Sequence, residues 1–207
     1  RALMPAFVFF FRLLYPFNLS NSRSRLVAAA AGGCILIRAD ILRQMGGYGA
    51  LNGALIDDCT LARAVKRLGH RTWIGLTHSA ISHRSYRDLG SVWEMVARTA
   101  FTQLRYSGLL LLLCTVIMLA AFVLPVVALG QSGATQIVGA GTLALMAMSY
   151  LPTLRYYGVP SIWSVTLPLA GVLYLLMTWT SAWRHRVGAG ALWKERSYSN
   201  RKFETHV

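Results

Sequence analysis

Acidic residues are scarce in this sequence: seven Asp and Glu stand against 21 Lys and Arg in 207 residues. No Lys, Arg, Asp or Glu occurs from Ser107 to Leu154, and after Arg155 none until Arg184. A gap of that length excludes an ordinary soluble domain and a disordered one, since both spread charge along the chain. It also removes the nucleic-acid reading of the +14 net charge, because half of the chain cannot supply a basic surface on a soluble fold. Cysteine is sparse as well. Cys34, Cys59 and Cys114 are odd in number, far apart and without zinc-ligand spacing, which argues against a disulfide framework. No Asp-x-Asp occurs anywhere, and no signal peptide opens the chain. The sequence begins with Arg1 rather than Met and runs straight into apolar residues, as part of a longer protein would.

What is present divides in two. Residues 1–106 carry 14 basic and five acidic groups; the remainder carry seven and two, with six of those seven basic residues from Arg184 onward. A bilayer core needs about 20 apolar residues in a helix. Three stretches qualify: Leu109 to Leu129, Ala134 to Leu154, and Val159 to Trp183. Tyr156, Tyr157, Trp163, Trp179 and Trp183 sit near their ends, where aromatic rings favour the headgroup level. The expected organisation is therefore an interfacial or partly embedded segment over 1–26, a polar part over 27–106, about three membrane helices over 107–183 and a basic tail over 184–207. Arg12, Pro5 and Pro16 make a complete span by the first segment costly.

The basic excess of the front half places it in the cytoplasm. Three complete spans would then put the tail, with Arg184, Arg186, Lys194, Arg196, Arg201 and Lys202, on the opposite side against its own charge. Either one segment is re-entrant, with Pro152, Pro160 and Pro168 marking the second and third, or the front part overrides the tail.

The polar part reads as alternating strand and helix. Gly33–Ile37 is a short apolar run suited to a buried strand, Asp40 can cap a helix that Gly46-Gly47 ends, and Thr72 to His78 forms a second strand. Between them, ALIDDCTLARAVKRLGH places Leu61, Ala62, Val65 and Leu68 at helical spacing, with Lys66 and Arg67 in the last turn and Gly69 as the stop. Asp57 and Asp58 then open that helix, as caps or as a directional carboxylate pair that accepts a proton from an attacking hydroxyl. His78 and His83 lack metal-binding spacing. Arg98 and Arg105, seven apart on one predicted helix, either neutralise lipid headgroups or grip a diphosphate. Trp93 is an interfacial anchor or a stacking platform.

In order, GGCILIRADILRQMGGYGALNGALIDDCTLARAVKRLGHR resembles the acceptor half of family 2 glycosyltransferases. ALIDDCTLA and MVARTAFTQLRYS are most similar to the hopene-associated members, and LWKERSY to the tail of lipid-directed ones. The resemblance implies an α/β fold, the C-terminal part of a GT-A-type domain, followed by the helical membrane region. It implies inverting transfer from a nucleotide sugar to a lipid hydroxyl, with Asp58 as base and Asp57 in support. It also places Gly32, Gly33, Arg98, Arg105 and Trp93 at the substrates. Met95 and Thr99 depart from the family's Gln-x-x-Arg-Trp pattern, so only Arg98 matches it, and Glu195 stands where the tail pattern has Gly. A divalent metal, Mg or Mn, is expected in the full-length enzyme with its ligands outside this chain, which alone should be inactive. The expected location is the inner membrane of a bacterium, with the transferase part cytoplasmic. The rival is a non-catalytic polytopic membrane protein acting in assembly or transport.

Overall fold

A computed structural model describes residues 3–51, 56–80, 86, 88–187, 191–193 and 196–198. Nine α-helices follow one another among them: α1 (Leu3–Leu14), α2 (Phe17–Ser20), α3 (Ala39–Gln44), α4 (Asp57–Arg67), α5 (Leu89–Gln103), α6 (Gly108–Phe122), α7 (Leu124–Leu129), α8 (Ala134–Tyr156) and α9 (Leu167–Arg186). Short 3-10 helices occupy Gly47–Leu51 and Ser161–Thr166. The chain forms two compact units, 7–85 and 86–207, the second including residues 1–6.

The α/β expectation is overturned. The described residues are predominantly helical, and their one ladder is an antiparallel hairpin of β1 (Ala191–Trp193) and β2 (Arg196–Tyr198), more than a hundred residues along the chain from the predicted strands. Neither 33–37 nor 72–78 contains a strand residue, and Leu36, expected in a buried strand, is fully exposed. The backbone groups of the extended segments are met by side chains instead of a ladder. The Asn21 amide donates to Ile74 O (2.9 Å) and accepts from Ile74 N–H (2.7 Å), which mimics one rung of a sheet. Ser20 Oγ accepts from Ala29 N–H (3.0 Å), and Thr72 Oγ1 donates to Ser20 O (3.1 Å). A buried amide needs a partner, and here polar side chains supply it.

The helix signals of this unit stand closer to expectation. Gly46 and Gly47 adopt φ of 86° and 73° after α3, and Gly69 adopts 87° after α4, the left-handed geometry that glycine permits. Asp40 is not a cap, however: it lies in the first turn of α3 and pairs with the Arg38 guanidinium. Tyr15, Ala29, Cys59 and Ile74 form the unit's buried cluster, packed by Phe11, Phe17, Val27 and Ile56.

In the other unit, three helical stretches are long and apolar enough to cross a membrane: Gly108–Leu129, Ala134–Tyr156 and Ser161–Arg186. Their ends lie within a few residues of those read from hydropathy. Pro125 at the start of α7 separates it from α6. Two glycines set the closest approaches. A Cβ on Gly139 of α8 would fall 2.8 Å from the Ala128 Cβ, and one on Gly171 of α9 would fall 2.5 Å from Cγ of Phe122.

Gly171→Ala is therefore expected to destabilise the protein. Alanine gains about 1 kcal/mol over glycine in a helix, but overpacking a close contact costs about 1–3 kcal/mol, and the atom met is the ring's own Cγ rather than the far end of a flexible side chain. The thermal midpoint of the detergent-solubilised protein should fall; an unchanged or higher midpoint would show that Phe122 yields.

α5 lies across the end of α9. Val92, Val96, Ala97 and Phe101 form its buried face, Phe101 N–H donates to Ser181 Oγ (3.0 Å), and Arg184 grips Glu94 with two bonds of 2.7 and 2.6 Å. That grip holds the Glu94 carboxyl below its ordinary range. The sign follows: the pair contributes above the unfolded value of 4.5 and is lost as pH falls through the lower folded value. Because the Glu94 side chain is 63% exposed, the contribution is about 1 kcal/mol or less. Glu94→Gln should remove that much at neutral pH and progressively less as acid carries the solution through the folded value, as read from paired thermal melts.

Candidate functional site

Asp57 and Asp58 open α4, as the spacing indicated. The N-cap position is Ile56, which makes no side-chain cap bond, so neither aspartate is the N-cap residue. Asp58 works across the chain instead. Its Oδ2 accepts the Gly32 N–H at 2.9 Å and its Oδ1 accepts the Cys59 N–H at 2.7 Å. The two bonds fix the carboxylate plane between the start of α4 and the turn at 32–33. A helix N-terminus also favours an anion there.

Below the carboxylate, Cys59 anchors the helix start. It is buried in the cluster with Tyr15, Ala29 and Ile74, its Sγ sits 3.8 Å from Ala30 O, and burial raises its thiol pKa. An inert buried thiol of this kind packs rather than reacts. Gly32 lies against Asp58: a Cβ built there would come 3.4 Å from Oδ2. Gly33 is open, with no atom within 4 Å of its Cβ position.

Sequence spacing places Lys66 in the last turn of its helix, and the structure buries it there. Lys66 of α4 is 2% exposed and its ammonium donates to the carbonyls of Val27 (2.6 Å), Ser24 (2.8 Å) and Leu19 (3.4 Å). Burial pushes its pKa down. It thus ties the 19–27 segment, which leads toward Gly32, to the helix that carries Asp58. The signal was in the spacing: Cys59, Ala62 and Lys66 share a helical face, and the first two are buried. Leu68, assigned to the buried stripe, is exposed.

The other named residues lie in the second unit. Trp93 and Arg98 are on α5, both half-buried. Arg105 does not share their helix, because α5 stops at Gln103 and both Arg105 and Tyr106 turn left-handed, with φ of 52° and 56°. Two such non-glycine residues in succession are costly. Tyr106 is held there by stacking on His185 at 4.3 Å and by Phe101 edge-on at 5.7 Å. The expected shared face of Arg98 and Arg105 is thereby corrected, and Arg105 is exposed in the turn. The side chain of Asp57, His83 and the tail residues Lys194, Glu195, Arg201 and Lys202 lie outside the described residues; His78 is exposed.

No three His, Cys, Asp or Glu side chains come together to hold a metal among the described residues. The residues described here do not form a site for the expected Mg or Mn.

Residues 8–202, almost the whole chain, match the family model described as glycosyl transferase family 21. The chain belongs to that family. This family 21 chain was expected in family 2, beside the hopene-associated members; the match carries the glycosyltransferase assignment but neither the family number nor the hopanoid association. No curated protein and no solved structure matches it.

Proposed function

We propose that this chain is the acceptor-side and membrane part of a glycosyltransferase that moves a sugar from a nucleotide-sugar donor to the hydroxyl of a membrane lipid. The family match carries glycosyl transfer. The lipid is supported by three helices of membrane-spanning length in the same chain, since an acceptor held in the bilayer explains why the enzyme goes there. In this reading Asp58 takes the acceptor's hydroxyl proton, the oxygen attacks the anomeric carbon from the face opposite the diphosphate, and the nucleoside diphosphate leaves with its bonding electrons. Asp57 supports Asp58. Gly32 and Gly33 form the turn tied to the carboxylate, and Trp93, Arg98 and Arg105, within the other unit, are assigned contacts to lipid or phosphate.

The proposed location is the inner membrane of a bacterium, with residues 27–106 facing the cytoplasm. No feature of the fold selects a hopanoid over another hydroxyl-bearing lipid. The 207-residue chain alone, which carries no Asp-x-Asp, is read as inactive, the donor being held elsewhere in the natural protein.

The test is transfer of radiolabelled sugar from a panel of nucleotide sugars into the lipid fraction by membranes containing the full natural protein. A labelled lipid that disappears when the gene is deleted supports the reading. Label entering only a water-soluble acceptor overturns the lipid assignment, and no incorporation from any donor returns the chain to a non-catalytic membrane role.

A further inference from the structure

α9 runs antiparallel to α6 along its whole length. Gly171 meets Phe122, Trp179 Nε1 donates to Thr115 Oγ1 at 3.0 Å, Ala182 packs with Leu111, and the Arg186 guanidinium lies beside Gly108. The pairs step down one helix as they step up the other. The end of α9 therefore lies level with the start of α6, where α5 also crosses it through Phe101–Ser181 and Glu94–Arg184. The start of α9 lies level with the end of α6.

It follows that residues 130–166 leave the far end of the α6–α7 stretch and return to that same end. α8 lies inside this excursion. Its first turns pack on α7 through Gly139, Ala128 and Pro125. Its middle faces the end of α7 and the start of α9 together, across a cavity of about 700 Å³ lined by Leu129, Leu143, Met146, Val165 and Leu169.

Resting on the membrane reading above, we propose that the chain crosses the bilayer twice, through α6–α7 and α9, and that α8 with the 3-10 helix Ser161–Thr166 is a re-entrant hairpin entering and leaving from one face. Two crossings suffice by length. The 22 residues of Gly108–Leu129 and the 20 of α9 each extend about 30 Å at 1.5 Å per residue, the thickness of a hydrocarbon core. The arrangement also removes the charge conflict of three spans. Arg184, His185 and Arg186 at the end of α9 come to the face that carries Arg105 and α5, so these basic groups lie together on one side, as the positive-inside rule requires, while Arg155 at the end of α8 belongs to the hairpin. Irregular backbone at membrane depth is tolerated where protein buries it, and the 130–166 excursion lies against α7 and α9.

The test uses the full natural protein with Cys34→Ser, Cys59→Ala, Cys114→Ala and any cysteine outside these 207 residues likewise replaced, carrying one new cysteine at a time: Gly90→Cys before α6, Ser132→Cys between α7 and α8, and Val187→Cys after α9. A membrane-impermeant maleimide is applied to sealed vesicles of each orientation. The expected result is that positions 90 and 187 label from one face and position 132 from the other. Labelling of 187 together with 132 means three complete crossings and overturns the hairpin. A C-terminal reporter active on only one side of the membrane repeats the comparison in the protein with its native cysteines. Release of the protein by alkaline carbonate would instead defeat the membrane reading itself, which keeps the two failures apart.

Discussion

Asp58→Asn in the full natural protein is expected to lower sugar transfer by at least about 10²-fold, the ordinary contribution of a positioned general base. The substitution keeps the shape of the side chain and one oxygen. That oxygen retains one of the two amides now bound, from Gly32 at 2.9 Å or Cys59 at 2.7 Å, while the new NH₂ faces the other donor. The loss of one hydrogen bond to a partly exposed group is worth about 1 kcal/mol. Stability should therefore change little while turnover collapses. A carboxylate that served only to tie the 32–33 turn to α4 would behave differently: activity would fall with the folded fraction and by no more than a few-fold. Transfer rates and thermal midpoints measured on the same preparation separate the two roles, and near-normal turnover would remove Asp58 from the chemistry. Asp57→Asn, at a residue assigned only support, should cost less.

The membrane helices were legible because a helix satisfies its own backbone. An apolar run of sufficient length needs no partner to be a helix in lipid, so hydropathy placed Gly108–Leu129 and Ala134–Tyr156 within two residues of their observed ends. Glycine stops were legible for the same local reason, at Gly46, Gly47 and Gly69. Strands are not local. Gly33–Ile37 has the composition of a buried strand, yet a strand exists only when another lies beside it, and these residues have no ladder partner among those described. Ser20 and Asn21, at the end of α2, serve as the hydrogen-bonding surface of the extended segments at 29 and 74. Composition could not show this, because the pairs are separated by nine and 53 residues.

The direction of α9 was hidden in another way. Spans counted from hydropathy alternate by default, so three runs imply opposite ends. What sets the actual order is packing at single positions. Gly171 lets Phe122 approach, and Thr115 and Ser181 receive donors from α9's Trp179 and α5's Phe101 respectively. Each is an ordinary residue in an apolar run, and only the pairing gives it meaning. The prolines at 152, 160 and 168 mark where an excursion is permitted without showing which helix belongs to it.

Lys66→Met is expected to free the segment 19–27. Burying an ammonium away from water would be a severe cost, and burial does lower its pKa. The three carbonyls offset that cost. Leu19 lies in the last turn of α2, where carbonyls carry the negative end of the helix dipole, and Ser24 and Val27 accept at 2.8 and 2.6 Å. Methionine keeps the length of the side chain and its apolar packing but withdraws every donor. Two short charge-assisted bonds are worth about 1.5–3 kcal/mol each; recovering the ammonium's hydration removes part of that, leaving a net loss near 3 kcal/mol. Since 1.4 kcal/mol is tenfold, local opening of 19–27 should become about 100-fold more frequent. Arg23 and Arg25 lie within the segment and report it directly: limited trypsin digestion should cut there far faster in the variant, with cleavage elsewhere nearly unchanged. Lys66→Arg retains the charge but carries it on a planar group too broad for carbonyls spaced around a point, and should fall between the two. An unchanged digestion pattern in Lys66→Met would mean that the Ser20 and Asn21 bonds hold the segment alone, and that the path from Lys66 to Gly32 and Asp58 has no energetic content.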